Sequence, residues 1–323
     1  MITAPCIVAS LSPLALLVAC GTESDRPILG LQAHSFNYSA WSDPVNVGAP
    51  VNSSANDQSP TLSKDGLALY FNSDRPGGLG GFDILVSRRA CADLTCPWGQ
   101  PVNLGPLINT SGNEGGAELS NDGHLLFFQS SQTGGLGETD IYVSRRANPK
   151  DDLGWGPPAN LGPDVNTPGF DVAPFYQQNV EGGPTNLYFH SGADNNLLAE
   201  IFSVAVNRDG EPLGPAVLIQ ELSFPGRPDG FPSMRADGRE IFFNSGRPVG
   251  GVNVNDLWTS TRQNVHDAWS PPENLGPPVN TQFAEFQPDL SFDGRTLHFI
   301  AGAPRGGLGG FDIWMSTRTP SGN

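Results

Sequence analysis

At 323 residues the chain is long enough for one large closed array or two ordinary domains, and 40 glycines with 30 prolines leave little room for long helices. A formal charge of -16 repels phosphate backbones and anionic membrane surfaces, which argues against nucleic acid as a partner and leaves cations and basic surfaces.

The first predicted element is a targeting segment. Ile7 to Ala19 is an apolar run of signal length, too short to span a bilayer and followed at once by polar residues. Its end, Leu17-Val18-Ala19-Cys20-Gly21, resembles the bacterial lipobox, which implies a lipid on Cys20. The expected organisation is a signal peptide at 1–20, a tether at 21–35 and a folded domain at 36–323. The protein would sit on the periplasmic side of the outer membrane or on the cell surface, touching membrane only through the lipid. Met1 to Cys6 contains no Lys or Arg, a departure from the usual signal pattern.

From residue 41 onward the sequence repeats. A tryptophan phrase recurs at Trp41, Trp98, Trp155 and Trp269, and an Asp-Gly pair at Asp65-Gly66, Asp122-Gly123, Asp237-Gly238 and Asp293-Gly294, with a period of about 57 residues. One repeat reads as four short strands: Gln58 to Ser63, Ala68 to Ser73 after the Asp-Gly turn, Phe82 to Arg88 after a glycine-rich loop, and Val102 to Leu104 after Trp98. Asp-Gly between β-rich runs is a hairpin signal. Four-stranded antiparallel units repeated and closed radially make a β-propeller. Three-strand sets begin near Ser59, Ala117, Ala173, Pro232 and Pro288, so the expectation is an all-β, five-bladed propeller. The Trp41 phrase precedes the first blade and the chain ends after a third strand, so the N-terminal strand should complete the last blade and remove an open sheet edge. Such a closed disc is expected to be monomeric.

Ser63-Lys64-Asp65-Gly66-Leu67-Ala68-Leu69-Tyr70-Phe71-Asn72-Ser73-Asp74-Arg75-Pro76-Gly77-Gly78, with the following Phe82-Asp83-Ile84, resembles the WD40-like propeller repeat of the TolB type, over residues 41 to 318. That resemblance implies a binding or assembly role in the bacterial envelope with no shared catalytic activity. The third repeat departs from it: Asn179 to Pro184 replaces the Asp-Gly turn, Asn195 to Leu198 replaces the glycine loop, and Val204 and Val206 stand where other repeats carry Ser87 and Arg89 or their equivalents.

Two acidic series follow the repeat. Asp57, Glu114, Asp171, Asp229 and Glu285 precede the innermost strands and should ring one mouth of the channel, where neighbours about 8 Å apart repel by only about 0.5 kcal/mol in water. Such a ring would suit a hard cation, calcium above all; the other reading is that each acid caps its own blade's amides. Asp83, Asp140, Glu200, Asp256 and Asp312 should bind the amides of the glycine loops or the nearby Arg75, Arg247 and Arg305. Cys91 and Cys96 are expected to form a local disulfide, since a metal site would need ligands that are not nearby. The Gly77 to Gly81 loop lacks the Lys and helix of a phosphate loop, and no Ser-His-Asp order is evident.

The function expected from the sequence is a lipid-anchored, non-catalytic scaffold for an envelope protein or glycan, with no catalytic residue assigned. The alternative is a five-bladed glycoside hydrolase using acids at the channel mouth. Catalysis needs a pair of acids made unequal by environment, and the five mouth acids repeat in every blade.

Overall fold

The computed structural model describes residues 38–178, 185–192, 198–250 and 255–321. Cys20, the signal and the tether lie outside them, as do the third-repeat segments 179–184 and 193–197.

The strands follow in chain order. They are β1 (Val45–Asn46), β2 (Asp57–Leu62), β3 (Ala68–Ser73), β4 (Asp83–Arg88) and β5 (Val102–Asn103). Next come β6 (Glu114–Leu119), β7 (Leu125–Ser130), β8 (Asp140–Arg145), β9 (Ala159–Asn160), β10 (Phe170–Gln177), β11 (Thr185–Gly192), β12 (Glu200–Val206) and β13 (Val217–Leu218). The chain ends through β14 (Asp229–Met234), β15 (Glu240–Ser245), β16 (Asp256–Thr261), β17 (Glu273–Asn274), β18 (Glu285–Leu290), β19 (Thr296–Gly302) and β20 (Phe311–Thr317). They form five 4-stranded antiparallel sheets, one per repeat, and β1 pairs with β20 to complete the fifth. The protein is a five-bladed β-propeller closed by its N-terminal strand. Among the described residues no helix is long and apolar enough to cross a membrane.

The two repeated marks of the sequence meet through one side chain. In blade 1, Arg89 Nε donates to the Gly66 carbonyl at 2.7 Å while its guanidinium lies 4.5 Å over the Trp98 ring. Arg146 binds Gly123 and Trp155 in the same way, Arg262 binds Gly238 and Trp269, and Arg318 binds Gly294 and Trp41. Each clamp ties the hairpin turn to the outer strand. In blade 5 the tryptophan comes from the far end of the chain, so the clamp is also the closure. Blade 3 replaces it with apolar packing: Val204 and Val206 are buried in the core between blades 2 and 3.

The Asp-Gly turns are wider than a two-residue hairpin. Gly66 alone of its pair takes positive φ (71°), and Asp65 uses its carboxylate to accept from Leu67 N at 3.0 Å. Between the blades, large side chains such as Phe71, Phe128, Phe189, Phe243 and Phe299 are fully buried.

Candidate functional site

The five predicted mouth acids are buried, and each caps its own loop. Asp57 accepts from Ser53 N at 2.6 Å, Glu114 from Thr110 N at 2.7 Å, Asp171 from Thr167 N at 2.5 Å, Asp229 from Phe224 N at 2.7 Å and Glu285 from Thr281 N at 3.0 Å. Three also hold an arginine: Arg75 pairs with Asp57, Arg247 with Asp229 and Arg305 with Glu285. Burial pushes the carboxyls of Asp171, Asp229 and Glu285 up. Among the described residues no group of three or more His, Cys, Asp or Glu is placed to hold a metal ion, so the calcium expectation finds no shared donor set there.

Of the two roles expected for the second series, binding of the glycine-loop amides is the one observed. Asp83, Asp140 and Asp312 accept from the glycine-loop amides of Leu79, Leu136 and Leu308. The three arginines belong to the first series instead. Asp83, Asp140, Asp256 and Asp312 each also accept from the Asn of a tryptophan-phrase strand, Asn103, Asn160, Asn274 or Asn46. Glu200 is half-buried at the head of β12. Cys91 and Cys96 are joined in a disulfide with Cα atoms 5.9 Å apart.

The channel itself is lined by other residues. Every innermost strand carries a bulge, with the ladder slipping between its second and fifth residues in four blades and between the third and sixth, Val172 and Phe175, in the longer β10. The residue at the bulge takes positive φ in all five blades: Ser59, Gly116, Ala173, Phe231 and Gln287. For the four that are not glycine this conformation costs about 1–2 kcal/mol each. Such bulges bend a strand and re-aim the side chains that follow. The residues re-aimed here, two positions beyond each bulge, are Thr61, Glu118, Phe175, Ser233 and Asp289, and all five line the channel.

This is the one channel position at which the repeat puts acids in two blades only. Each of these acids uses one oxygen as a strut to the next blade: Glu118 Oε1 accepts from Tyr176 N at 3.2 Å and Asp289 Oδ2 from Leu62 N at 3.0 Å. Ser233 performs the same task toward Leu290 N, so a hydroxyl suffices for it and the carboxylates exceed the structural need.

Their surroundings differ. Glu118 is paired across the ladder with Phe127, whereas Asp289 is paired with His298, whose Nδ1 lies 3.7 Å from Asp289 Oδ2. Burial, and then the charge of Asp289, push the Glu118 carboxyl well above the usual range. The two acids line a cavity of about 60 Å³ at the end of the channel that leads to the hairpin turns, and one of about 40 Å³ deeper in. That is room for water rather than for a sugar ring. Repetition does not mark this pair in the sequence; it emerges only from the column Thr61, Glu118, Phe175, Ser233 and Asp289, one residue from each blade.

No protein-family profile and no curated protein sequence matches the chain. Solved structures do. A GH62 hydrolase in complex with xylotriose superposes with a TM-score of 0.56 at 11% identity, over 88% of this chain and 99% of that one. An α-L-arabinofuranosidase from Lactobacillus brevis gives 0.54 at 15%, over 84% and 92%. An endo-arabinase from Bacteroides thetaiotaomicron gives 0.54 at 16%, over 84% and 96%. The fold resembles that of five-bladed glycoside hydrolases. The expectation of a non-catalytic scaffold is corrected by these neighbours, which favour the alternative of a glycan-cleaving enzyme. What stands of the TolB-type resemblance is the five-bladed propeller.

Proposed function

We propose that the protein hydrolyses a glycosidic bond at the channel end between Glu118 and Asp289, and that the bond is an α-L-arabinofuranosyl linkage. The observation that carries this reading is a pair of channel carboxyls in unlike surroundings, Glu118 paired across its ladder with Phe127 and Asp289 with His298. The neighbours that share the fold include an arabinofuranosidase and an endo-arabinase, and these supply the substrate class.

A general acid must hold its proton at working pH, and the burial that raises the Glu118 carboxyl favours its protonated form. Glu118 gives that proton to the glycosidic oxygen as its bond to the anomeric carbon breaks. A water in the cavity between the two acids attacks the anomeric carbon and gives a proton to Asp289, and solvent returns the pair to its starting state. Because the cavity admits only water, the sugar lies across the mouth with one linkage directed inward. The phrases that resemble the TolB type build the blades, and the chemistry lies where they diverge. The lipid anchor at Cys20 remains part of this proposal; labelled palmitate entering wild type and Cys20→Ser equally would remove it.

The test is incubation with an aryl α-L-arabinofuranoside, arabinan and arabinoxylan, following released sugar. Turnover of at least one is expected. A folded sample that turns over none of them, nor other aryl pentosides, would overturn the reading.

A further inference from the structure

A groove of about 400 Å³ runs along the seam between blades 1 and 2, outside the channel. Tyr70, Arg88 and Arg146 line it. It is continuous with the channel end, because Lys64, Leu119, Ser120 and Asn121 line both. A glycan with one linkage at Glu118 therefore has a path for its next units.

The charges along this path are unequally committed. Arg88 Nη2 donates to Asp152 Oδ1 at 2.7 Å, and Arg146 lies 3.4 Å from the same oxygen. Asp65 and Asp122 are held inside their turns by Ser63 and Ser120. Lys64 is exposed, rests 4.5 Å over the Phe292 ring and has no ion pair among the described residues. Lys64 and Lys150 are the lysines of the chain. At the positions equivalent to Lys64 the other blades carry Asn121, Gln178, Ala236 and Phe292, so the ring at this mouth bears charge in one blade alone. Asn121 Nδ2 donates to Gln178 Oε1 at 3.0 Å, which leaves the Asn121 carbonyl to accept from a hydroxyl.

Resting on the glycan-cleaving reading above, we propose that the seam groove is an outer subsite for the glycan beyond the bond cleaved, and that Lys64 selects there a sugar bearing a carboxylate, a uronic acid. An ammonium on an exposed stem can leave the phenyl face and meet a carboxylate at the groove's edge. A single acidic sugar is tolerated where a polyanion is repelled by the net charge of -16.

The experiment is isothermal titration of Glu118→Gln with a xylo-oligosaccharide carrying a glucuronic acid branch and with the same oligosaccharide lacking it. The acidic ligand should bind about tenfold tighter, equivalent to ~1.4 kcal/mol. Lys64→Met, an exposed substitution, should abolish that preference, and 1 M salt should shrink it. Equal affinities, no binding of either ligand, or a preference that survives Lys64→Met would overturn the proposal. Binding is read without turnover, so a preference in a protein that hydrolyses nothing would sink the hydrolase reading and leave the subsite standing.

Discussion

Asp289 faces His298 across its ladder, with 3.7 Å between Oδ2 and Nδ1, at the same register where Glu118 faces Phe127. One channel acid is thus backed by an imidazole, which can carry a proton, and the other by a phenyl ring, which cannot. Replacing His298 by Phe would give both acids the same wall and remove the polar group that stands 3.7 Å from Asp289. On the proposed mechanism kcat/KM should then fall with folding retained. Unchanged kcat/KM would show that His298 does not position Asp289.

Glu118 also makes stability depend on pH. Its folded-state pKa is raised, chiefly by burial, so between the unfolded value near 4.5 and the raised value the native state binds more protons than the unfolded one. Stability should fall as pH rises through that window and should be fully retained below it. Asp171, Asp229, Asp256 and Glu285 are raised as well and add to the same slope. Denaturant melts of Glu118→Gln at pH 5 and pH 8 should show a smaller loss than wild type. An identical loss would place the ionisation elsewhere.

Closure rests on Arg318. Its Nη1 and Nη2 donate to the buried Glu240 carboxylate of blade 4 at 2.7 and 2.6 Å, while its guanidinium lies 4.0 Å over Tyr38 and 4.6 Å over Trp41 of the N-terminal segment. Arg318→Ala would leave buried Glu240 with the more distant Arg235, 3.9 Å away, as its ion-pair partner, at a cost toward the lower end of about 3–5 kcal/mol. Deleting residues 38–48 should go further and abolish cooperative unfolding, since β20 would lose its outer neighbour. A truncated protein with unchanged melting would contradict the closure.

The blade pattern was legible in the sequence because it repeats for a mechanical reason. Arg89, Gly66 and Trp98 touch one another, so all three recur together, and the surplus Trp41 phrase announced the closing strand. The site was less legible. The bulges that aim Glu118 and Asp289 into the channel leave no common residue type at Ser59, Gly116, Ala173, Phe231 and Gln287. The pairing of Arg75 with Asp57 rather than with the second acidic series depends on loop packing that spacing does not encode.

Those caps also bear on calcium. With Asp57, Glu114, Asp171, Asp229 and Glu285 each committed to its own loop amide, millimolar calcium should leave the melting temperature unchanged by way of these acids. A rise in Tm that vanishes when Asp57 and Asp171 are both replaced by Asn would return them to the role of an ion site.

On the proposed mechanism Glu118 and Asp289, and not the five repeated acids, perform the chemistry. The most direct measurement is kcat on an arabinofuranoside for Glu118→Gln, Asp289→Asn and Asp57→Asn, each with its melting temperature. Loss of an acid or base from the reacting centre costs about 10²–10⁴ in rate. Losses of that size are expected for Glu118→Gln and Asp289→Asn with folding retained, and for Asp57→Asn a lower melting temperature with kcat largely kept in the folded fraction. Full activity in either channel variant, or loss confined to Asp57→Asn, would contradict that mechanism.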